Sequence, residues 1–390
     1  MKVALTGGGS GGHITPVLAV AHELKKHNPT TQTIYIGQRG DSLIDIPKNC
    51  PDIDSTSVIF AGKLRRYHGE GWRQLLDVPT VIKNLRDAFY VFIGIWQSFW
   101  LLRRLKPDVV FIKGGFVGVP VGLAAAALKI PFVTHDSDAM PGLANRIISR
   151  WATLHAVALP KEIYSYPPEK TEVVGVPVSS SYHSTSPQEI SLYKKHLDLQ
   201  ETTKILTVTG GGNGSTALNE SVVAVASRLL LRYPTLHIFH IAGRRNADEL
   251  TQIYAKSVTT ELRDRIHVKG FVEDMYVYSA IANVVFTRAG ATSIAEFAAQ
   301  SKACIVMPSP NLAGGHQLKN ARVLEERSVV KVVDELQTQS DPDVLFLAIT
   351  NILDNPTLEQ EMGQRLAELA KTDSATRVAM LLLGIGKNSK

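Results

Sequence analysis

The sequence predicts an α/β protein made of two doubly wound parallel-sheet domains, and three observations carry that prediction. A glycine-rich turn opens each half. Gly7-Gly8-Gly9-Ser10-Gly11-Gly12-His13 follows the apolar run Val3-Ala4-Leu5, and Gly210-Gly211-Gly212-Asn213-Gly214-Ser215 follows Ile205-Leu206-Thr207-Val208. Short apolar runs then alternate with helical stretches through both halves, the pattern of parallel sheets buried on both faces. Finally, 390 residues with 44% apolar content suit about two or three domains with full cores.

In the first half the predicted strands are 3–6, 33–36, 109–112, 132–135 and 154–158, with helices over 16–26 and 119–128 among the segments between them. In the second half the strands are 205–209, 237–242, 266–269, 284–287, 303–307 and 329–333, with helices over 219–232 and 291–300. Gly175-Val176-Pro177-Val178, followed by three serines, reads as the connector. The domains expected are therefore 1–178 and 179–365. A helical stretch over 357–383 follows, and its end, from about residue 366 to 390, is a candidate to pack back on the first domain.

Cys50 and Cys304 lie one in each half, and three apolar residues before the first glycines are too few for a signal-peptide core. This reads as a reducing compartment with buried thiols. The net charge of +6 is local. Residues 1–178 hold 20 Lys/Arg against 14 Asp/Glu, and residues 61–106 alone hold 9 against 3. Such a patch points to an anionic partner, nucleic acid or anionic lipid. Within it runs Phe89-Tyr90-Val91-Phe92-Ile93-Gly94-Ile95-Trp96-Gln97-Ser98-Phe99-Trp100-Leu101-Leu102, flanked by Lys63, Arg65, Arg66, Arg73, Lys83 and Arg86 before and Arg103, Arg104 and Lys106 after. Fourteen residues fall short of the roughly 20 needed to span a bilayer. Two readings stay open: a core helix, or a helix lying in a membrane interface.

The glycine turns define where chemistry belongs. Gly7, Gly9 and Gly12 fit G-x-G-x-x-G by spacing, but the second strand ends Ile36-Gly37-Gln38-Arg39 without the acid that a nicotinamide cofactor needs for its ribose. No Lys-Ser/Thr pair follows the glycines, so there is no Walker loop. A helix N-terminus after the glycines favours an anion and disfavours an imidazolium, which leaves His13 a base-competent neutral side chain. The turn His135-Asp136-Ser137-Asp138 crowds polar groups at another strand end. It suits hydrogen bonding to a substrate, and a His-Asp-x-Asp set without further ligands is not diagnostic of a metal. In the second half Arg288-Ala289-Gly290-Ala291-Thr292-Ser293-Ile294-Ala295-Glu296 reads as strand end, turn and helix start. Its first-turn N–H groups suit a phosphate. Glu296 either takes a ribose diol or closes a capping box with Ser293. His316 and Gln317, after Gly314-Gly315, are candidates to reach a bound sugar or to be plain surface groups.

Taken in order, these segments resemble the MurG family of bacterial N-acetylglucosaminyltransferases. Those that carry the resemblance are Thr6 to Pro16, Gly62-Lys63-Leu64-Arg65-Arg66-Tyr67, Lys106-Pro107-Asp108 with Gly114-Gly115-Phe116-Val117, His135 to Asp138 with Pro141-Gly142-Leu143-Ala144-Asn145, Gly175-Val176-Pro177-Val178, Gly210 to Asn219, Phe271-Val272-Glu273-Asp274-Met275, Arg288 to Glu296, and His316-Gln317 with Asn320-Ala321. They are collinear from residue 1 to about 335.

The resemblance implies the GT-B fold, two Rossmann-like domains with a cleft between them. It implies UDP-N-acetylglucosamine as donor, lipid I as acceptor, lipid II as product, and no cofactor or bound metal. The donor positions are Gly212, Asn213, Val272, Ala291, Thr292, Ser293, Ile294, Ala295, Glu296 and Gln317, with Ser10, Gly11, Gly12 and Asp138 from the first domain. His13 is the implied general base, and Glu296 completes the catalytic pair. The lipid acceptor gives region 61–106 a role at the anionic inner-membrane surface, rather than on nucleic acid, with the protein peripheral on the cytoplasmic face. Three departures stand out. Ser179 replaces a frequent Arg, Gly212-Asn213-Gly214-Ser215 replaces Ser-Gln-Gly-Ala, and Asp136-Ser137-Asp138 replaces Glu-Gln-Asn. Rival readings are a related transferase with another lipid acceptor, a UDP-sugar 2-epimerase, and a membrane-docked nucleotide-sugar binder without turnover.

Overall fold

The computed structural model describes residues 1–9, 11–63, 78–310 and 315–387. The chain divides into two compact units. One comprises Met1–Ser179 with the segment from Lys371 onward, the other Ser180–Pro310 with Gln317–Ala370.

The first unit is built on an all-parallel sheet of seven strands: β1 (Lys2–Thr6), β2 (Gln32–Gln38), β3 (Ser55–Ile59), β4 (Val109–Ile112), β5 (Phe132–Asp136), β6 (Leu154–Val157) and β7 (Thr171–Val173). The spatial order is β3-β2-β1-β4-β5-β6-β7. Side chains alternate across each strand. Val3, Leu5, Val109 and Phe111 therefore enter one core with Val17 and Leu24, while Ala4, Val110 and Ile112 enter the opposite core with Val121 and Leu102. The first core is completed from far along the chain. Helix Ser374–Lys387 packs on helix Gly11–His27 and buries Val378, Ala379, Leu382 and Leu383 there. Sequence patterning expects one helix over 357–383; the chain instead breaks it into Pro356–Ala367 and Ser374–Lys387. The break falls between the two units, so each helix serves a different core.

Helix Val78–Leu105 lies on the second face against helix Gly118–Ala127. Gly94, Ser98 and Leu102 recur at helical spacing on its buried side. The Gly94 position leaves no room for a Cβ against the Phe60 carbonyl, and Gln97 Oε1 accepts from Phe60 N at 2.8 Å. The other side is bare: Ile82, Leu85, Phe89, Phe92, Trp96 and Trp100 are 53–71% exposed.

The second unit repeats the plan with β8 (Lys204–Thr209), β9 (Leu236–Ile241), β10 (Ile266–Lys269), β11 (Val284–Thr287), β12 (Cys304–Val306) and β13 (Lys331–Val332), all parallel. The order is β10-β9-β8-β11-β12-β13. Helix Thr216–Arg232 buries Leu218, Val222, Val225 and Leu229 on one face of the sheet. Phe297 and Ile294 of helix Ala291–Ala299 bury on the other. In each unit strand order reverses at one place, between β1 and β4 and between β8 and β11. Loops leaving those strand ends form the crevice where such sheets bind ligands.

Candidate functional site

In the first unit the loops after β1, β4 and β5 meet at the reversal point. Thr6 pairs with Ile112 across the sheet, so the Gly7–Gly9 turn and the Lys113–Phe116 turn leave side by side. Gly9 has φ +83°, and a Cβ there would stand 2.5 Å from the Phe116 ring, so only glycine fits. Asp41 Oδ2 accepts from Gly9 N at 3.2 Å and steadies the turn. The expected helix over 16–26 begins earlier, at Gly11, which puts the half-buried His13 within its first turn. Its imidazole lies beside the second turn: Cβ positions at Gly114 and Gly115 fall 3.7 and 3.6 Å from His13 Cδ2 and Cγ. Gly114, at φ +108°, also faces the Asn145 amide. Gly11 and Gly12 are at the helix start, and Ser10 lies outside the described residues.

The acidic turn is tied down strongly. Asp136 Oδ1 accepts from Gly142 N and Asn145 Nδ2, both at 2.9 Å, and Oδ2 accepts from the Tyr166 hydroxyl at 2.8 Å. Burial pushes the Asp136 carboxyl up, against those three hydrogen bonds and the charge of Lys113. His135 is fully buried and held well below its usual range by burial and by Lys113. Its Nε2 lies 2.8 Å from the Gly175 carbonyl and so carries the proton. Asp138 follows in this turn, and its carbonyl accepts from the Tyr164 hydroxyl at 3.0 Å. His135 Nδ1, Ser137 Oγ and Asn145 Oδ1 are buried without a partner among the described residues. Sequence reading missed three contributors here. Tyr164 and Tyr166 reach the turn across β6, while Lys113 had a visible signal: a lone cation closing an apolar strand before two glycines.

In the second unit Gly210–Gly214 leaves β8 beside the turn after β11, since Thr209 pairs with Thr287. Gly214 N donates to Gly211 O at 2.9 Å, and Ser215 caps the following helix through Leu218 N. Among the described residues Gly212 has space beside it, its Cβ position meeting only Phe271 at 3.9 Å, and Asn213 is exposed. Val272 follows Phe271, whose ring carries the Arg244 guanidinium at 4.2 Å. Helix Ala291–Ala299 is capped by Gly290, with no side-chain cap, so the capping-box reading of Ser293 and Glu296 does not hold. The first-turn N–H groups of Ala291, Thr292 and Ser293 face outward from the helix start. Ile294 is buried, and Ala295 and Glu296 are half-buried. Desolvation alone pushes the Glu296 carboxyl up to about 8. Gln317 Oε1 accepts from Ser309 N at 2.9 Å, which fixes the strand end.

The exposed stripe of helix Val78–Leu105 is the remaining candidate surface. Lys83, Arg86, Arg103 and Arg104 border it and are exposed. Arg65, Arg66 and Arg73 lie outside the described residues. Among the described residues no helix is long and apolar enough to cross a membrane.

Two Rossmann-like units, each with a glycine turn at its switch point, define the GT-B architecture. Residues 3–157 match the glycosyltransferase family 28 N-terminal domain and residues 205–378 its C-terminal domain. The UDP-N-acetylglucosamine–N-acetylmuramyl-(pentapeptide) pyrophosphoryl-undecaprenol N-acetylglucosamine transferase of Natranaerobius thermophilus is 30% identical over 98% of this chain and 99% of its own length. The chain belongs to this family of N-acetylglucosaminyltransferases. The MurG of Acinetobacter baumannii, at 24% identity, shares the fold with a TM-score of 0.69 over 98% of this chain and 99% of its own. The UDP-GlcNAc 2-epimerase of Neisseria meningitidis shares it at 17% identity and a TM-score of 0.65, covering 98% and 100%. That likeness is one of fold.

Proposed function

We propose that this chain moves N-acetylglucosamine from UDP-N-acetylglucosamine to the muramyl sugar of lipid I, forming lipid II. Family membership carries the substrates. The close approach of His13 to the Gly114-Gly115 turn supports a first unit that receives the acceptor. The C4 hydroxyl of the muramyl sugar attacks the anomeric carbon of the donor, and His13 takes its proton. The bond from that carbon to the UDP oxygen breaks, UDP leaves with the electron pair, and the configuration inverts. Charge growing on the diphosphate meets the N-terminus of helix Ala291–Ala299, where N–H groups and the helix dipole stabilise it. Glu296, one turn further, takes the ribose hydroxyls. Gly212, Asn213, Val272 and Gln317 complete the donor site, and the family resemblance assigns Asp138, Gly11 and Gly12 to the donor sugar as well.

The exposed stripe supports docking on an anionic membrane. From Ile82 to Trp100 it runs about 27 Å at 1.5 Å per residue, long and apolar enough to lie in the interface with its arginines at headgroup level. The protein then works as a peripheral enzyme on the cytoplasmic face, where its lipid acceptor is held. The decisive experiment is UDP release from UDP-N-acetylglucosamine with and without a short-chain lipid I analogue. Acceptor-dependent release with a disaccharide product is expected. Release without acceptor, or conversion of the donor to its 2-epimer, would overturn the reading.

A further inference from the structure

We infer that the free edge of the second unit's sheet takes up an extended acidic peptide as an added strand. β10 is the outermost strand and pairs on one side only, with β9. Ile238 N donates to Arg265 O and Ala242 N to Lys269 O, both at 2.8 Å. In a parallel ladder alternate residues face the neighbouring strand, so Arg265, His267 and Lys269 bond to β9. The N–H and C=O groups of Ile266 and Val268 therefore point outward, and they have no hydrogen-bond partner among the described residues. Such a row of free backbone groups is a template for another strand. A groove of about 640 Å³ borders it. Tyr254 of helix Ala247–Ser257 lines one face of the groove, His196 and Asp198 at the end of helix Pro187–His196 line the other, and Arg263 stands ahead of the strand.

The edge is held in place before any partner arrives. The Arg265 guanidinium donates to the Tyr233, Pro234 and Leu230 carbonyls at 2.9, 3.1 and 3.0 Å. The His267 ring stacks on those of His237 and Phe239, with centroids 5.2 and 4.5 Å apart. An ordered template spares the partner part of the entropy cost of binding. Its two faces differ. Ile266 and Val268 turn to the core that holds Tyr254, and His267 and Lys269 alternate to the other side. Paired residues of neighbouring strands share a face. An added strand thus sets every second side chain on the Tyr254 side and the rest beside Lys269 and His196. The fixed charges of the groove are Arg263 and Lys269 against Asp198. Burial and the Lys269 charge hold His267 below its usual range, so it is neutral at pH 7. Arg263 Nε is buried with no acceptor among the described residues, and a carboxylate satisfies such a donor. Alternating apolar and acidic side chains fit this edge. A second copy fits poorly, because antiparallel pairing centred on His267 sets Lys269 of one copy against Arg265 of the other, and facing like charges destabilise.

The test is binding of a fluorophore-labelled, capped pentapeptide of alternating glutamate and valine to the full chain, read by anisotropy. Saturable binding below about 1 mM is expected. Methylating every peptide nitrogen of the probe should weaken it by at least about tenfold, because the ladder hydrogen bonds are lost. Replacing its glutamates by lysine should weaken it as much, and binding should fall as salt rises. Val268→Pro removes one outward N–H at an edge position, where proline is tolerated, and should also cost about tenfold in affinity with the wild-type Tm kept. Lys269→Glu leaves the backbone alone and serves if the proline variant does not fold. It should weaken the glutamate peptide and strengthen the lysine one. Absence of saturable binding, or indifference to backbone methylation, would overturn the inference. Displacement of the peptide by an equal concentration of N-acetylglutamate would do the same and mark a site for small anions. Self-association of the chain in sedimentation, abolished by Val268→Pro, would overturn it in favour of a second copy.

Discussion

Arg288 holds Ser215 with two donors: Nε at 2.9 Å and Nη2 at 2.5 Å from the hydroxyl that also caps the helix after the second glycine turn. Its third arm pairs with Glu335 at 2.5 Å, both side chains 11% exposed, and reaches the Met307 carbonyl at 3.0 Å. One side chain thus joins the ends of β8, β11 and β12. Arg288→Met should cost about 3–5 kcal/mol, because it strands the buried Glu335 carboxylate. A fall in Tm with most of that loss recovered in Arg288→Met/Glu335→Met is the expected result. Unchanged stability would remove the clamp.

Glu296→Gln should separate stability from binding. In the folded chain Glu296 keeps its proton up to about pH 8, whereas the unfolded chain releases it near 4.5. Its contribution to stability is therefore fully present below pH 4.5 and is lost as pH rises through 8. The glutamine variant should be more stable than wild type by about 2–4 kcal/mol near pH 8, with no difference at pH 4. UDP affinity should move the other way. A ribose diol donates to the ionised carboxylate, so wild-type affinity should rise with pH through 8, while the variant binds weakly and without that rise. Thermal unfolding and calorimetric titration across pH 4–9 read both effects.

His13→Ala should lower kcat by roughly 10²–10⁴-fold with UDP affinity kept. An unchanged rate with the lipid I analogue would remove His13 as the base.

Gly212→Ser should improve the donor site. Among the described residues a Cβ at Gly212 meets no atom closer than Phe271 at 3.9 Å, and one added hydrogen bond contributes about 0.5–1.5 kcal/mol. The expected gain is a KM for the donor about two- to tenfold lower. A higher KM would show that the turn needs glycine there.

Trp96→Ser/Trp100→Ser should weaken binding to vesicles containing anionic lipid by at least about tenfold, since each exposed ring forfeits about 1.5–3 kcal/mol of burial on insertion. Binding should also fall as salt rises. Co-sedimentation at two ionic strengths tests both statements.

The strands with near-continuous apolar runs, such as Val109–Ile112 and Val284–Thr287, were legible because burial on both faces leaves no polar position to blur the pattern. Ser55–Ile59 and Thr171–Val173 were not. They are the outer strands of their sheet, short or half-exposed, and carry serine, threonine and glutamate. The glycine turns were legible through composition, since positive φ and close approach demand glycine. Tyr164 and Tyr166 were not, because what makes them matter is a neighbour on another strand. The aromatic helix shows both sides of this limit. Its apolar run was plain, but the split between a face on the core and a face on solvent is set by Gly94, Ser98 and Leu102 meeting partners distant in sequence.

The first unit's core takes Val378, Ala379, Leu382 and Leu383 from helix Ser374–Lys387. That core therefore cannot close on the ribosome when residue 179 has been made. It waits for residue 383, an interval of about 10–40 s at 5–20 residues per second. During that interval the second unit is synthesised whole and can fold first. A chain truncated after residue 373, which holds the whole second unit but none of helix Ser374–Lys387, should then protect the second unit against protease and leave the first open to cleavage, so the half of the protein that is made first is the last to become resistant.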